Sequence, residues 1–551
     1  MENLSILFFS YFLIITSTVG YGYLYSIIFL PNVKSINLGF IGLYGIFFCI
    51  FISYFTNYFL PHDMLFNSMV LLTGIICFGV LIIKNYKIIL KKELKLLFII
   101  FTILFVALMI SKNHDDFPYY HFEYTYILTQ FDLLIGLGQF NHGFKTPSSI
   151  FYLNSLYYLP YIQFYSFNIG TLIIMGFVNF TLLKKINFED FSKNSSLISV
   201  YSLLCFIFIN IFFYRISEHG TDRTAQILVL LLISELMYFK LKSRSNNFEI
   251  HNIYLILVLI ISLKSFYILY TLFLIPLYFQ ILKEESFNNF IRIVFLKRYI
   301  LIFGLTLLFS FLTYFYSTGC FIFPVSYSCI SNLSWALELN QVETMYLHYE
   351  KWAKGVTGVG YTTLNANLLV NGLNWVPNWI DRYFFNKVSD FILSLFFLCC
   401  LLSYIFFKFS FSKQKLKVNY IHYIILFILV ILLLEWFINH PSLRYGGYNL
   451  FALLFLLPTS ILISSYKIHA IKSFKIVIIL ILLTTAIFLS RNFVRLHKEN
   501  NHYDYNPFQN VFYKVDETHF NEFNDINKVI DNYSTNNDKV KKLFNKFVFL
   551  K

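Results

Sequence analysis

The sequence predicts an all-α polytopic membrane protein of about 13–14 transmembrane helices. Three observations carry that expectation. The 551-residue chain is 58% hydrophobic and only 13% charged, a composition foreign to soluble globular domains. Apolar runs of the ~18 residues or more that mark a membrane helix recur from end to end. Lys and Arg fall in short stretches between these runs, and they crowd one alternate set of them. That distribution also sets aside nucleic acid as the reason for the +14 formal charge, because the basic residues form no single patch.

Taken in order, Met1 to Leu30 has no Lys or Arg ahead of a long apolar run. It reads as a first span near 4–29 and not as a cleavable signal. Further spans are expected near 36–59, 64–83, 96–111, 161–182, 197–213, 224–239, 252–263, 266–282, 299–316, 387–407, 419–437, 448–466 and 473–490. The pair 252–263 and 266–282 is read as a hairpin turning at Lys264-Ser265, since one long span would carry Lys283, Arg292, Lys297 and Arg298 to the opposite side. With this hairpin one set of loops holds twenty-three Lys and Arg, and the opposite loops, excluding the C-terminal tail, hold nine over far more residues. The first set is cytoplasmic by the positive-inside rule. The outer set comprises loops 112–160, 214–223, 317–386 and 438–447, and the tail 491–551 lies on the same outer side. From Asn500 this tail is rich in Asn and Lys and is expected to be only partly ordered. No internal repeat and no low-complexity domain is visible.

Five of the seven cysteines lie in apolar spans, where Cys is a small hydrophobe. Cys320 and Cys329 lie in the outer loop 317–386, and an oxidising compartment makes them a disulfide.

The outer loops hold the residues that fold alone does not require. Loop 112–160 brings His114, Asp115, Asp116, His121 and Glu123 to the end of an apolar helix. Ionisable groups beside the hydrocarbon layer are costly and are generally kept for function. A carboxylate here suits a general base; the plainer alternative is a helix cap, since Asp-Asp-x-Pro also starts helices. Tyr124–Gly138 is expected to lie on the surface as an amphipathic helix. The turn Arg215–Arg223 adds Glu218, Asp222 and two arginines, with a solvated turn as the plainer alternative. Lys264 sits at the hairpin tip, where it meets a partner or a phosphate, or only reaches for the interface. Trp352-Ala353-Lys354 offers a ligand contact, although tryptophans more commonly form an interfacial belt. Arg444 and Tyr445 occupy the last outer turn, and an Arg fork matches phosphate oxygens; a simple Glu435–Arg444 pair is the alternative. No His and Cys spacing marks a metal site, and no Walker loop or GxGxxG is present.

These outer motifs resemble the GT-C superfamily of integral-membrane glycosyltransferases that use polyprenyl-phosphate-linked sugars. The acid pair Asp115-Asp116 in a large outer loop, Ser262-Leu263-Lys264-Ser265 at a hairpin tip and Pro441-Ser442-Leu443-Arg444-Tyr445 at a late turn carry the resemblance. The stretch from Asp115 to Pro160 with the Cys320 loop is also similar to a group of bacterial polytopic proteins placed near these enzymes. The resemblance covers roughly residues 90–490. It implies N-terminal helices over 1–90, a GT-C-like catalytic module over 91–490 and a bacterial inner membrane with the site on its outer face. It further implies an inverting transfer from a polyprenyl-phosphate sugar to a glycan, lipid or protein acceptor, without a cofactor. Asp115 or Asp116 would be the base, and Lys264 and Arg444 would meet the leaving phosphate. His121, Glu218, Asp222, Arg223, Lys354 and Tyr445 would bind substrate. A transporter, flippase or polymerase of lipid-linked glycans is the alternative class; transporters tend to show repeats and midplane polar residues.

Overall fold

The computed structural model describes residues 2–551 except 31–36, 86–90, 111–115, 187–195, 219, 242–246, 296, 359–360, 414–419, 504, 513–514 and 536–538. Asp115 and His114 therefore lie outside the described residues. Helices α1 (Glu2–Phe29), α2 (Leu38–Asn57), α3 (Met64–Asn85) and α4 (Lys91–Leu108) precede the first long polar segment, which contains α5 (Phe122–Gln130) and α6 (Ser149–Ser155). There follow α7 (Ile169–Lys185), α8 (Ser196–Phe212), α9 (Asp222–Leu241), α10 (Asn247–Leu263), α11 (Leu274–Glu284), α12 (Phe287–Val294) and α13 (Arg298–Thr318). The large loop carries α14 (Leu339–Ala353), α15 (Ala366–Val370) and α16 (Val376–Trp379), and then come α17 (Ser389–Lys408), α18 (Tyr420–Asn439), α19 (Gly447–Ser464), α20 (Ala470–Tyr503) and α21 (Asn521–Asp531).

Among the described residues, ten helices are long and apolar enough to cross a membrane, so the chain is an all-α multi-pass membrane protein. The expected number was larger, and four elements make the difference. α8 and α10 have 17 residues each, while α4 and α9 carry several charges, among them Glu93, Lys95, Asp222 and Glu235. α7 to α10 are nonetheless the interior of the bundle, with Ile173, Phe177, Leu203, Leu230 and Leu259 fully buried.

Small residues bring the first three helices together. A Cβ on Gly22 would fall 1.7 Å from the Ile41 carbonyl oxygen, and one on Gly45 would fall 1.8 Å from that of Thr18. Backbone contact of this kind between membrane helices is open to glycine and closed to larger side chains.

The loops sort to two ends as the charge pattern predicts. At one end Lys184 pairs with Glu93 at 2.7 Å, and strands β1 (Ser410–Lys413) and β2 (Tyr466–Ile468), from two different basic loops, form an antiparallel pair. At the other end the 116, 222, 264 and 444 regions meet. The chain does reverse at Lys264: the Tyr254 hydroxyl lies 3.2 Å from that of Tyr278, whereas one straight helix would hold them about 36 Å apart.

Two expectations fail. Tyr124–Gly138 is not a surface helix: α5 ends at Gln130, and Tyr124, Thr125, Ile127 and Leu128 are buried. The tail is not loose either. α21 and the hairpin of β3 (Val540–Leu543) and β4 (Lys546–Phe549) fold back onto loop 112–160. Phe520 and Phe523 pack on Tyr126 at 5.3 and 4.9 Å between ring centres. The Ile135 N–H donates to the Phe547 carbonyl at 3.0 Å, and Lys546 pairs with Asp132. Apolar rings hidden among the polar residues supply the burial that composition alone denied this segment.

Candidate functional site

Four charged side chains from four distant parts of the chain converge at the end of the bundle. Arg444 is the hub. Its Nη2 meets Asp116 Oδ2 at 2.5 Å, and its Nε donates to Asp222 Oδ2. The other Asp222 oxygen accepts from Lys264 Nζ. Lys264 also stands over the Tyr445 ring, 4.8 Å from its centre, a cation–π contact. The order is Asp116–Arg444–Asp222–Lys264. The Asp222 side chain is 9% exposed, while those of Asp116 and Arg444 are 21% and 31% exposed. The network is deep at one end and open at the other.

Local structure explains how each member arrives. Asp116 precedes a π-helical turn, Phe117–His121, with Pro118 near its start. Such wide turns occur mostly at functional sites. The Asn141 side chain holds this turn by donating to the Tyr119 carbonyl at 3.0 Å. Gly143 lets Tyr120 close down, since a Cβ there would fall 2.2 Å from the Tyr120 ring. Asp222 opens α9, where the positive end of the helix dipole favours an acid. Lys264 is the single extended residue between α10 and the 3-10 helix Ser265–Phe273. The Ser148 hydroxyl pins that break by donating to the Leu263 carbonyl at 2.6 Å.

Arg444 lies in a 3-10 turn, Leu443–Tyr445, clamped from several sides. The Trp379 and Trp436 indoles donate to the Pro441 and Ser442 carbonyls at 2.7 and 2.8 Å. The Leu443 N–H donates to the Tyr383 hydroxyl at 2.9 Å, and Gln226 donates to the Arg444 carbonyl at 2.9 Å. Gly446 ends the turn at φ +91°, and a Cβ there would meet the Tyr270 hydroxyl at 2.8 Å; both conditions call for glycine. In the same turn, burial lowers the His440 imidazole to about 4, and the Lys354 and Lys264 charges add to the effect. His440 is neutral near pH 7.

The other expected site residues divide. Tyr445 belongs to the site, beneath Lys264. His121 is beside it, its ring packed on Tyr120 and Phe151 at 4.3 and 5.1 Å. Glu218 is taken up elsewhere: it pairs with Arg215 at 2.6 Å and with Arg495 from α20. Arg223 stacks between Phe213 and Tyr448 at 5.8 and 5.7 Å. Lys354 is bound to Glu350 at 2.5 Å, to the Val370 carbonyl at 3.3 Å and to the Trp375 ring at 5.4 Å. These three lie outside the four-residue network and brace the helices around it. Glu435 bonds Asn439 at 3.2 Å, and the Arg444 carboxylate partners are Asp116 and Asp222 instead. Cys320 and Cys329 form the expected disulfide.

Sequence reading gave Tyr120 only an interfacial place, beside Tyr119, and passed over Arg495. Tyr120 is partly buried beside Asp116, and desolvation with the Asp116 charge drives its hydroxyl well above the ordinary phenol value. Its place directly after Pro118-Tyr119 was the available signal. Arg495 lies 277 residues from Glu218 in an otherwise unremarkable stretch of α20, and no local signal marks it. Among the described residues no three His, Cys, Asp or Glu side chains gather as a metal site would require.

One guanidinium, that of Arg444, holds two carboxylates, and a second cation, Lys264, pairs with the deeper of them. An incoming phosphate can take Arg444 and Lys264, and the shallow carboxylate of Asp116 is then released. No curated protein and no solved structure matches the chain. Residues 4–451 match the family described as Domain of unknown function (DUF8201), a stretch that takes in Asp116, Asp222, Lys264 and Arg444, and the chain belongs to that family.

Proposed function

We propose that the protein is a membrane glycosyltransferase that moves a sugar from a polyprenyl-phosphate donor to an envelope glycan, lipid or protein acceptor, at the outer face of a bacterial inner membrane. The observation that carries this reading is the convergence of Asp116, Arg444, Asp222 and Lys264 at the membrane edge. Two cations and one partly open carboxylate are what the reaction asks for. The donor phosphate takes up Arg444 and Lys264, which Asp222 keeps aligned from below. Asp116, freed from Arg444, accepts the proton of the acceptor hydroxyl. The hydroxyl oxygen bonds to the anomeric carbon while the bond from that carbon to the phosphate oxygen breaks, with inversion. The phosphate leaves with the electron pair, and its charge is met by groups already in place. Asp115, next in sequence, shares candidacy as the base.

The test is transfer from a synthetic polyprenyl-phosphate sugar by purified protein in lipid. Asp116→Asn should keep the folded bundle and lose transfer by the 10²–10⁴-fold typical of general-base loss. Arg444→Gln should fail alongside it. If Asp116→Asn and Asp115→Asn both retain full transfer, the catalytic assignment is wrong. Export of an intact lipid-linked glycan without sugar transfer would favour the transporter reading instead.

A further inference from the structure

The large loop between α13 and α17 presents apolar side chains that nothing in the protein covers. Leu364, Leu368 and Leu373 are 91%, 66% and 62% exposed, and Phe385 is 65% exposed. Exposed apolar side chains concentrated in one short stretch of a polar loop mark a contact surface.

The chain itself indicates what covers it. α16, a π-helical stretch Ile380–Val388 and α17 run on as a helix over Val376–Lys408, 33 residues. At 1.5 Å per residue that is about 50 Å, against a hydrocarbon core of about 30 Å. Its far end, Lys408, opens a basic loop, so the excess falls at the near end, over residues 376–388. There the sequence is that of a membrane interface, with Trp379, Tyr383, Phe384 and Phe385 between Asp381, Arg382 and Lys387. The wider turn allows the helix to bend where it leaves the core. The exposed leucines immediately precede this segment, tied to it by Lys354, which bonds the Val370 carbonyl and stands over Trp375. The segment holds one acidic residue, Asp381, against two basic ones, Arg382 and Lys387, so headgroup attraction is a minor part of the cause; apolar area is the main one.

We infer that residues 364–387 form a platform seated in the headgroup layer, with Leu364, Leu368, Leu373 and Phe385 inserted into lipid. The same platform grips the Arg444 turn through Trp379 and Tyr383. It therefore sets the network beside the lipid surface, and a lipid-borne phosphate reaches Arg444 sideways from the bilayer. The seating itself does not depend on the proposed transfer.

The test uses full-length protein in phosphatidylcholine–phosphatidylglycerol vesicles. Cys77→Ser and Cys400→Ser remove the thiols that are not buried, and an environment-sensitive dye is placed at Leu368→Cys or Phe385→Cys. Leu401→Cys on α17 and Lys528→Cys on α21 serve as lipid and water references. A shallow acyl-chain nitroxide should quench the Leu368 and Phe385 dyes within about twofold of the Leu401 dye, as an inserted apolar face requires, and iodide should barely reach them. Iodide quenching at Leu368 equal to that at Lys528 overturns the proposal whatever Phe385 reports, since the start of α17 alone accounts for a buried Phe385. Loss of transfer activity moves neither reading.

Discussion

Replacing Asp222 by Asn and replacing Asp116 by Asn should have very unequal costs in stability, although both remove one carboxylate from the same network. Asp222 accepts from Lys264 with one oxygen and from Arg444 with the other, and its side chain is 9% exposed. Asn there strands two cations in a poorly solvated place with Asp116 as their remaining partner. Breaking a buried ion pair from one side costs about 3–5 kcal/mol. Asp116 touches Arg444 through a single nitrogen, and its side chain is 21% exposed. Arg444 keeps Asp222 when Asp116 is lost, so solvent screening limits that cost to about 1 kcal/mol or less. Thermal unfolding in lipid nanodiscs, followed by a thiol-reactive dye that reports exposure of the buried Cys49 and Cys205, separates the two. Asp222→Asn should melt several degrees below wild type and Asp116→Asn close to it. Adding Lys264→Met to Asp222→Asn should recover part of the loss, because it removes one stranded charge. Equal melting of the two single variants would refute the reasoning, since Asp222 would then not be the shared counter-ion.

Three further outcomes are expected. Burial raises the Glu123 carboxyl to about 8, against about 4.3 in an unfolded chain. The folded form therefore holds the extra proton between those values, and stability falls as pH rises from 5 to 8; Glu123→Gln should flatten this slope, read as protease protection of the tail that Glu123 anchors at the Glu522 N–H. Removing the disulfide with Cys320→Ser and Cys329→Ser frees a short loop of sequence separation 9 and should cost about 2–3 kcal/mol by loop entropy, measured as a lower unfolding midpoint. Gly22→Leu should prise α1 from α2, since even a Cβ meets the Ile41 carbonyl; the expected readout is loss of monodisperse protein on size exclusion, and a normal profile counts against the close packing.

What could be read in advance follows from what is local. Span positions, the hairpin at Lys264 and the sorting of loops to two ends are written in hydropathy and in the placement of Lys and Arg, which act over one or two dozen residues. Lys264, Asp222, Arg444 and Tyr445 were visible because charge beside lipid is rare, and the structure gathers them. Glu218, Arg223 and Lys354 carried the same local signal but are satisfied by Arg495, by Phe213 with Tyr448, and by Glu350 with Trp375. Sequence shows that a charge needs a partner. It does not show whether the partner is a ligand or a side chain hundreds of residues away. The tail misled for a related reason: its composition is polar, and the few rings that fix it, Phe520 and Phe523, find their partners on α5.

The long helix α20 has a bearing on how the protein is assembled. α20 is 34 residues long, about 50 Å, and overshoots the bilayer core by about 20 Å. The overshoot delivers Arg491 and Arg495 to the 211–218 turn, where Arg491 donates to the Ile211 carbonyl at 2.6 Å and Arg495 meets Glu218. α20 lies far downstream of the 211–218 turn in the chain, and domains are built from the N-terminus onward during synthesis. Until it is threaded, Glu218 has only Arg215, and loop 112–160 lacks the segment that closes over it. The end of the molecule that carries the charge network is thus closed by α20 and the residues after it, so a nascent protein arrested before α20 exposes an unfinished surface there.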